Sequence, residues 1–300
     1  MTHNIALVLS SGGARGIAHI GVIEELSKSG YSITSVAGTS MGSLVGGMLA
    51  KGTLPEFTEW LLHFTKMDVI RFLDLTIGSG GLVKGDKILK ALEEFIGHGN
   101  IEDMQIPYAC VASDLIGHQE VVFNKGSLLE AIRASISIPT VFKPVISDHM
   151  LLVDGGVLNP LPLDYVHRSG NDLLVAVNVN SSVDYLAPKK EKTLAEHEKH
   201  YGKVRAALNE RWSEVIDHYN EKYHHEKQPK AKQANMFDII SDSINLSQDK
   251  LAKVNIEKFK PDLVIEISYK VASAFDFYKA EELIEAGRIA CREELKRWSE

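Results

Sequence analysis

Apolar residues open the chain in short unbroken runs and then recur at helical spacing. Asn4 to Leu9 predicts a buried strand, Ser11 to Gly16 a glycine-rich turn, and Ile17 to Lys28 a helix. That helix carries Ile20, Ile23 and Leu26 on one face and closes at Gly30. The same rhythm repeats at once. Ile33 to Gly38 predicts a second strand, and Met41 to Ala50 a second helix stopped by Gly52 and Pro55. Strand, turn and helix with short connections is the pattern of a parallel sheet with helices on its faces.

Further strands are expected at Tyr108 to Ser113, Glu120 to Phe123, Leu151 to Val153, Leu173 to Asn178 and Leu263 to Ile267. Several are continuous apolar runs, as expected of strands covered on both faces. Tyr278 to Trp298 reads as a surface helix with Ala280, Leu283, Ile284 and Ala290 turned inward. Between Ala187 and Gln233 the chain is dense in Lys, Glu and His, yet Tyr201, Val204, Leu208, Trp212, Val215, Tyr219 and Tyr223 form a one-sided helical stripe. The expectation is one α/β domain over 1–300, with a charged helical insertion or cap at about 187–233. That stretch either packs on the core through the stripe or serves as a mobile cap or partner surface.

Composition narrows the function. A formal charge of −7 argues against a general nucleic-acid binder, which needs a basic face. The two cysteines, Cys110 and Cys291, have no metal or redox spacing and read as buried free thiols of a reducing compartment. The first residues, MTHNIALVLSSGGARG, hold an apolar stretch too short for a secretory signal, and no later stretch offers the ~20 apolar residues of a membrane span. A cytoplasmic, soluble protein is expected, one still free to visit a membrane surface.

Three motifs hold the chemistry. GTSMG, Gly38 to Gly42, lies between a strand and a helix, the setting in which Gly-x-Ser-x-Gly forms a nucleophile elbow around Ser40. A serine there is otherwise a helix cap. Ser11-Gly12-Gly13-Ala14-Arg15-Gly16 follows the first strand and could present backbone N–H donors to an oxyanion, worth ~3–4 kcal/mol. Arg15 would add positive charge or pair with a carboxylate to hold the loop. A dinucleotide fingerprint is the rival, but Ser11 replaces its first glycine and no acid ends the next strand; a Walker lysine is absent too. Leu151 to Gly156 puts Asp154 at the end of an apolar run, followed by Gly155 and Gly156. Asp154 is either a turn acid bonding the backbone ahead of it or a base for the serine. In the order oxyanion loop, nucleophile, acid, the functional reading prevails.

With these pieces in place the chain resembles the patatin-like phospholipase family, especially its compact bacterial members. The matching blocks are SGGARG at 11–16, GTSMG at 38–42, ASISIP at 134–139, DGGVLNPLP at 154–162 and FDFYKAEELIEAG at 275–287. Ser11 departs from the family's first loop glycine, and 187–233 falls outside the shared blocks. The resemblance implies a three-layer α/β patatin-like fold with a mostly parallel central sheet and helices on both faces. It also implies a lipid acyl hydrolase with a serine–aspartate dyad. Ser40 is then the nucleophile, Asp154 the general base, and Gly12, Gly13, Ala14, Arg15 and Gly16 the oxyanion loop. No cofactor or metal is expected, and the partner is a lipid or acyl ester. The residues alone leave a triad open, with His167, His197, His200, His218, His224 or His225 as its third member. The apolar stretch from Phe57 to Gly81 reads as core or as one wall of an acyl-chain trough, with Ser79, Gly80 and Gly81 as a hinge. An acyl-thioesterase, or a regulatory or interaction protein on the same fold, is the alternative function.

Overall fold

The computed structural model describes residues 3–72, 86–139, 141–184 and 236–299. By its contacts the chain divides into a body of residues 1–187 and 240–300 and a second unit, 188–239. The helical stripe expected at 187–233 lies outside the described residues, as do His197, His200, His218, His224 and His225.

Eight strands, all in the body, form one sheet among the described residues. They are β1 (His3–Leu9), β2 (Tyr31–Thr39), β3 (Tyr108–Asp114), β4 (Gln119–Phe123), β5 (Val145–Ser147), β6 (Met150–Asp154), β7 (Leu173–Ser181) and β8 (Leu263–Ser268). The order is β5-β6-β3-β2-β1-β7-β8, with β4 also paired to β3. The five strands from β3 to β8 are parallel. The pairs β3–β4, β3–β6 and β5–β6 are antiparallel.

Helices cover both faces, and β1 illustrates why its run is unbroken. Ile5, Leu7 and Leu9 point into a core shared with α1 (Ala18–Lys28), α2 (Met41–Lys51) and α8 (Ala280–Ser299). Ala6 and Val8 point the other way, to Leu161, Leu163 and Val166 and to Ala252 of α7 (Met236–Phe259). A strand buried on both sides has no polar alternation. The remaining helices are α3 (Leu54–Leu62), α4 (Lys66–Phe72), α5 (Asp86–Ile96) and α6 (Leu128–Ser135). Cys110 and Cys291 are free and buried, as expected.

Strand β3 does most to place the site. Its first half pairs with β2, ending at Thr39 opposite Val111. Its second half pairs with β6, beginning at Asp154 opposite Ala112. Because β4 takes the other edge of β3 over Cys110 to Asp114, β2 and β6 must share one edge and meet end to end. The last residue of each strand therefore faces the other across consecutive rows of β3.

Strand β5 is absent from the sequence reading. It has three residues, and its middle one, Ile146, is 81% exposed, so no apolar run marks it. No helix among the described residues is long and apolar enough to cross a membrane.

Candidate active site

Ser40 occupies the one-residue joint between β2 and α2, with φ 56° and ψ −124°. A positive φ costs a serine on the order of 1–3 kcal/mol and persists only where the surroundings fix it. Here they do. The Ser40 N–H donates to Ser135 Oγ at 2.9 Å, and its carbonyl accepts from Leu44 N at 3.1 Å and Ser43 Oγ at 2.6 Å. The joint is tight enough that a Cβ at Gly42 would stand 2.3 Å from the Leu9 carbonyl oxygen, which is why that position is glycine. Ser40 makes no capping bond to α2. Its Oγ instead donates to Asp154 Oδ2 at 2.5 Å, and both residues are buried.

The two carboxylate oxygens of Asp154 have different partners. Oδ1 accepts the Gly156 N–H at 2.8 Å, which is the turn bond, while Oδ2 receives the serine. Its own N–H donates to the Ser137 carbonyl at 2.9 Å, so the segment 135–137 holds both halves of the pair. Burial pushes the Asp154 carboxyl up to about 6, against the pull of the hydrogen bonds from Ser40 and Gly156. A carboxylate that takes its proton near pH 6 is ionised at neutral pH yet a stronger base than an exposed aspartate.

The glycine-rich loop turns after β1 as a short 3₁₀ segment, Gly13–Ile17. Ser11 N donates to Pro160 O and Ala14 N to Ala274 O, each at 2.8 Å, so the Ala14 donor is taken. The N–H groups of Gly12 and Gly13 have no acceptor among the described residues. Gly13, with φ +56°, lines the same cavity as Ser40. Gly16 serves packing, since a Cβ there would meet the Met41 side chain at 2.4 Å. Arg15 is buried and among the described residues pairs with no carboxylate; its Nη2 donates to Asn180 Oδ1 at 2.8 Å and Asn245 Oδ1 at 3.1 Å. Of the two roles left open for Arg15, pairing with a carboxylate thus gives way to two amides.

The cavity beside Ser40 has about 740 Å³ of space, its open mouth included, and an almost wholly apolar lining. Met41 and Leu44 come from α2, and Phe57, Trp60, Leu61, Phe64 and Val69 from the stretch expected to be core or one wall of a trough. Trp60 and Phe64 meet edge to face at 4.4 Å. The side chain of Phe72, and Leu73 and the glycines at 78–81 altogether, lie outside the described residues. No histidine is among the described residues lining this cavity. His167 belongs elsewhere: its carbonyl accepts from Ser35 Oγ at 2.6 Å, and Ser35 lies about 16 Å back along β2 from Ser40 at ~3.3 Å per residue. Among the described residues no cluster of three His, Cys, Asp or Glu could hold a metal.

Several residues here carried no role in the sequence. Ser135 and Ser137 sit inside the block ASISIP, a signal that pointed to the segment without dividing its work. Asn180, Asn245 and Gln248 lay in no motif. Gln248 Oε1 accepts from Ser11 Oγ at 3.0 Å, and its amide nitrogen lies where a Cβ on Gly156 would be 2.4 Å away.

A buried serine bonded to a carboxylate, free amides nearby and an apolar cavity suit acyl transfer from a hydrophobic ester. Comparison with known proteins points the same way. The chain is similar to an uncharacterised NTE family protein of Mycobacterium tuberculosis, 33% identical over 97% of this chain and 91% of that one. It is similar to the neuropathy target esterase sws of Drosophila melanogaster, 33% identical over 61% of this chain but only 13% of that much longer protein. Its fold is similar to that of VipD from Legionella pneumophila, with a TM-score of 0.57 at 13% identity over 99% of this chain and 67% of that one. The family model for patatin-like phospholipase matches residues 7–167, and the chain belongs to that family of lipid hydrolases.

Proposed function

We propose that this chain is a serine-dependent lipid acyl ester hydrolase, phospholipase- or lysophospholipase-like, working through Ser40 and Asp154 without a histidine. The observation behind the reading is the 2.5 Å bond from Ser40 Oγ to Asp154 Oδ2, buried beside an apolar cavity.

Ser40 Oγ attacks the ester carbonyl carbon as its proton passes to Asp154 Oδ2. The carbonyl oxygen becomes an anion and accepts bonds from the Gly12 and Gly13 amides. Collapse breaks the bond to the alcohol, which leaves with the proton from Asp154, and Ser40 keeps the acyl group. Water then gives its proton to Asp154 and attacks the acyl carbon, and collapse returns that proton to Ser40 as the free acid departs. The acyl chain lies against Trp60, Phe64 and Val69, where each buried CH₂ is worth ~0.8 kcal/mol.

The test is a panel of phospholipid, lysophospholipid and acyl-thioester substrates with wild type and Ser40→Ala. Hydrolysis of oxygen esters that falls at least about 1,000-fold in Ser40→Ala supports the reading. Turnover confined to thioesters would replace it with a thioesterase, and no turnover with no Ser40 adduct would replace it with a binding role.

A further inference from the structure

Arg15 is 4% exposed, yet among the described residues no carboxylate lies within ion-pairing distance of it. A buried cation is costly and is ordinarily matched by an anion. Here its contacts are two neutral amide oxygens, Asn180 Oδ1 and Asn245 Oδ1, and its Nε has no partner among the described residues. Burial lowers its pKa to about 10, so it remains charged at neutral pH.

The amides also place that charge. Asn180 sits at the end of β7 and donates through Nδ2 to the Ser11 carbonyl at 2.7 Å. Its side-chain oxygen lies 3.3 Å from where a Cβ on Gly12 would be. One asparagine thus separates the guanidinium from Gly12 and links both ends of the loop, Ser11 and Arg15. Asn245 ties the same guanidinium to α7, and Gln248, one turn on, holds the Ser11 hydroxyl.

We propose that Asn180 and Asn245 are positioning residues that hold Arg15 through neutral oxygens, leaving its positive charge uncompensated beside the glycine-rich loop, where it favours the oxyanion formed in acyl transfer. Carboxylates at the two positions would hold the guanidinium more firmly and cancel its charge. Asparagines keep the geometry and spare the charge. In a site of low effective dielectric such a charge acts over several ångströms. This role for Arg15 rests on the chain being a hydrolase that works through Ser40.

Asn245→Asp separates a structural from an electrostatic role. It keeps the acceptor for Arg15, gives it a counter-charge and leaves the Asn180 bonds untouched. The expected result is a melting temperature equal to or above wild type, kcat lower by about tenfold and KM within about twofold. Arg15→Met should lose at least as much kcat, and Arg15→Lys should recover part of it. If Asn245→Asp raises the melting temperature while kcat stays within twofold of wild type, Arg15 is only a strut and the proposal is overturned. Labelling of Ser40 by a fluorophosphonate, run alongside, distinguishes that failure from the other: wild type that neither labels nor turns over esters would overturn the hydrolase reading and the proposal together.

Discussion

Ser40 and Asp154 meet because each is held against its own preference. The serine takes a positive φ, fixed through Ser135, Ser43 and Leu44. The carboxylate is taken out of water, which favours its protonated form. That second cost has a measurable sign. The folded protein holds the Asp154 proton up to about pH 6, whereas the unfolded chain releases it near 3.8. The folded state therefore binds more protons between those values, and stability falls as pH rises through that window. Asp154→Asn should be more stable than wild type at pH 8 by on the order of 1–3 kcal/mol, with the gap closing towards pH 4. Denaturant unfolding at both pH values checks this; a gap that does not depend on pH would refute the burial of a charged Asp154. At this scale the sequence pointed to both members of the hydrogen-bonded pair, since glycines framed Ser40 and Asp154. It did not disclose Asn180 or Asn245, whose importance comes from a contact across 165 or more positions to Arg15.

Elements explain what pattern reading could and could not see. The runs at β1, β3 and β7 were legible because strands buried on both faces are apolar over most of their length. Helix α7 was not, because its buried side is half polar: Gln248 and Asn255 alternate with Ala252, Ile256 and Phe259. A face that bonds a loop has no hydrophobic stripe to find. The stretch beginning at Phe57 was legible as too apolar for an idle surface, and α3 and α4 place its first half against the cavity. Its proposed chain-binding role can be separated from chemistry. Val69→Asn, at the cavity wall, should raise KM for long-chain esters severalfold and leave short-chain esters within about twofold. Steady-state kinetics on an ester series measures this, and equal loss across the series would remove Val69 from the acyl site.

The whole molecule brings the two ends together through one shared neighbour. β2 and β6 are remote in sequence, and Ser40 and Asp154 lie 114 positions apart, yet both strands end against the same edge of β3. Periodicity finds strands but not their order across a sheet, so this meeting was legible only through the ordered glycine-framed motifs and the family they resemble, not through the pattern itself. The glycine-rich loop after β1 and Asn180 at the end of β7 complete a site gathered at the carboxyl ends of parallel strands, where open α/β sheets bind their ligands. The proposed chemistry turns on Asp154 acting alone as the base for Ser40. The most direct measurement is the rate at which a fluorophosphonate labels Ser40, followed by mass spectrometry from pH 4.5 to 8.5 in wild type and Asp154→Asn. Wild type should label faster as pH rises through about 6 and level off above it, because only the ionised carboxylate accepts the proton. Asp154→Asn should label at least about 100-fold more slowly than wild type at pH 8, with little dependence on pH, so that the gap narrows towards pH 4.5. Near wild-type labelling in that variant, or dependence on a histidine instead, would contradict the dyad.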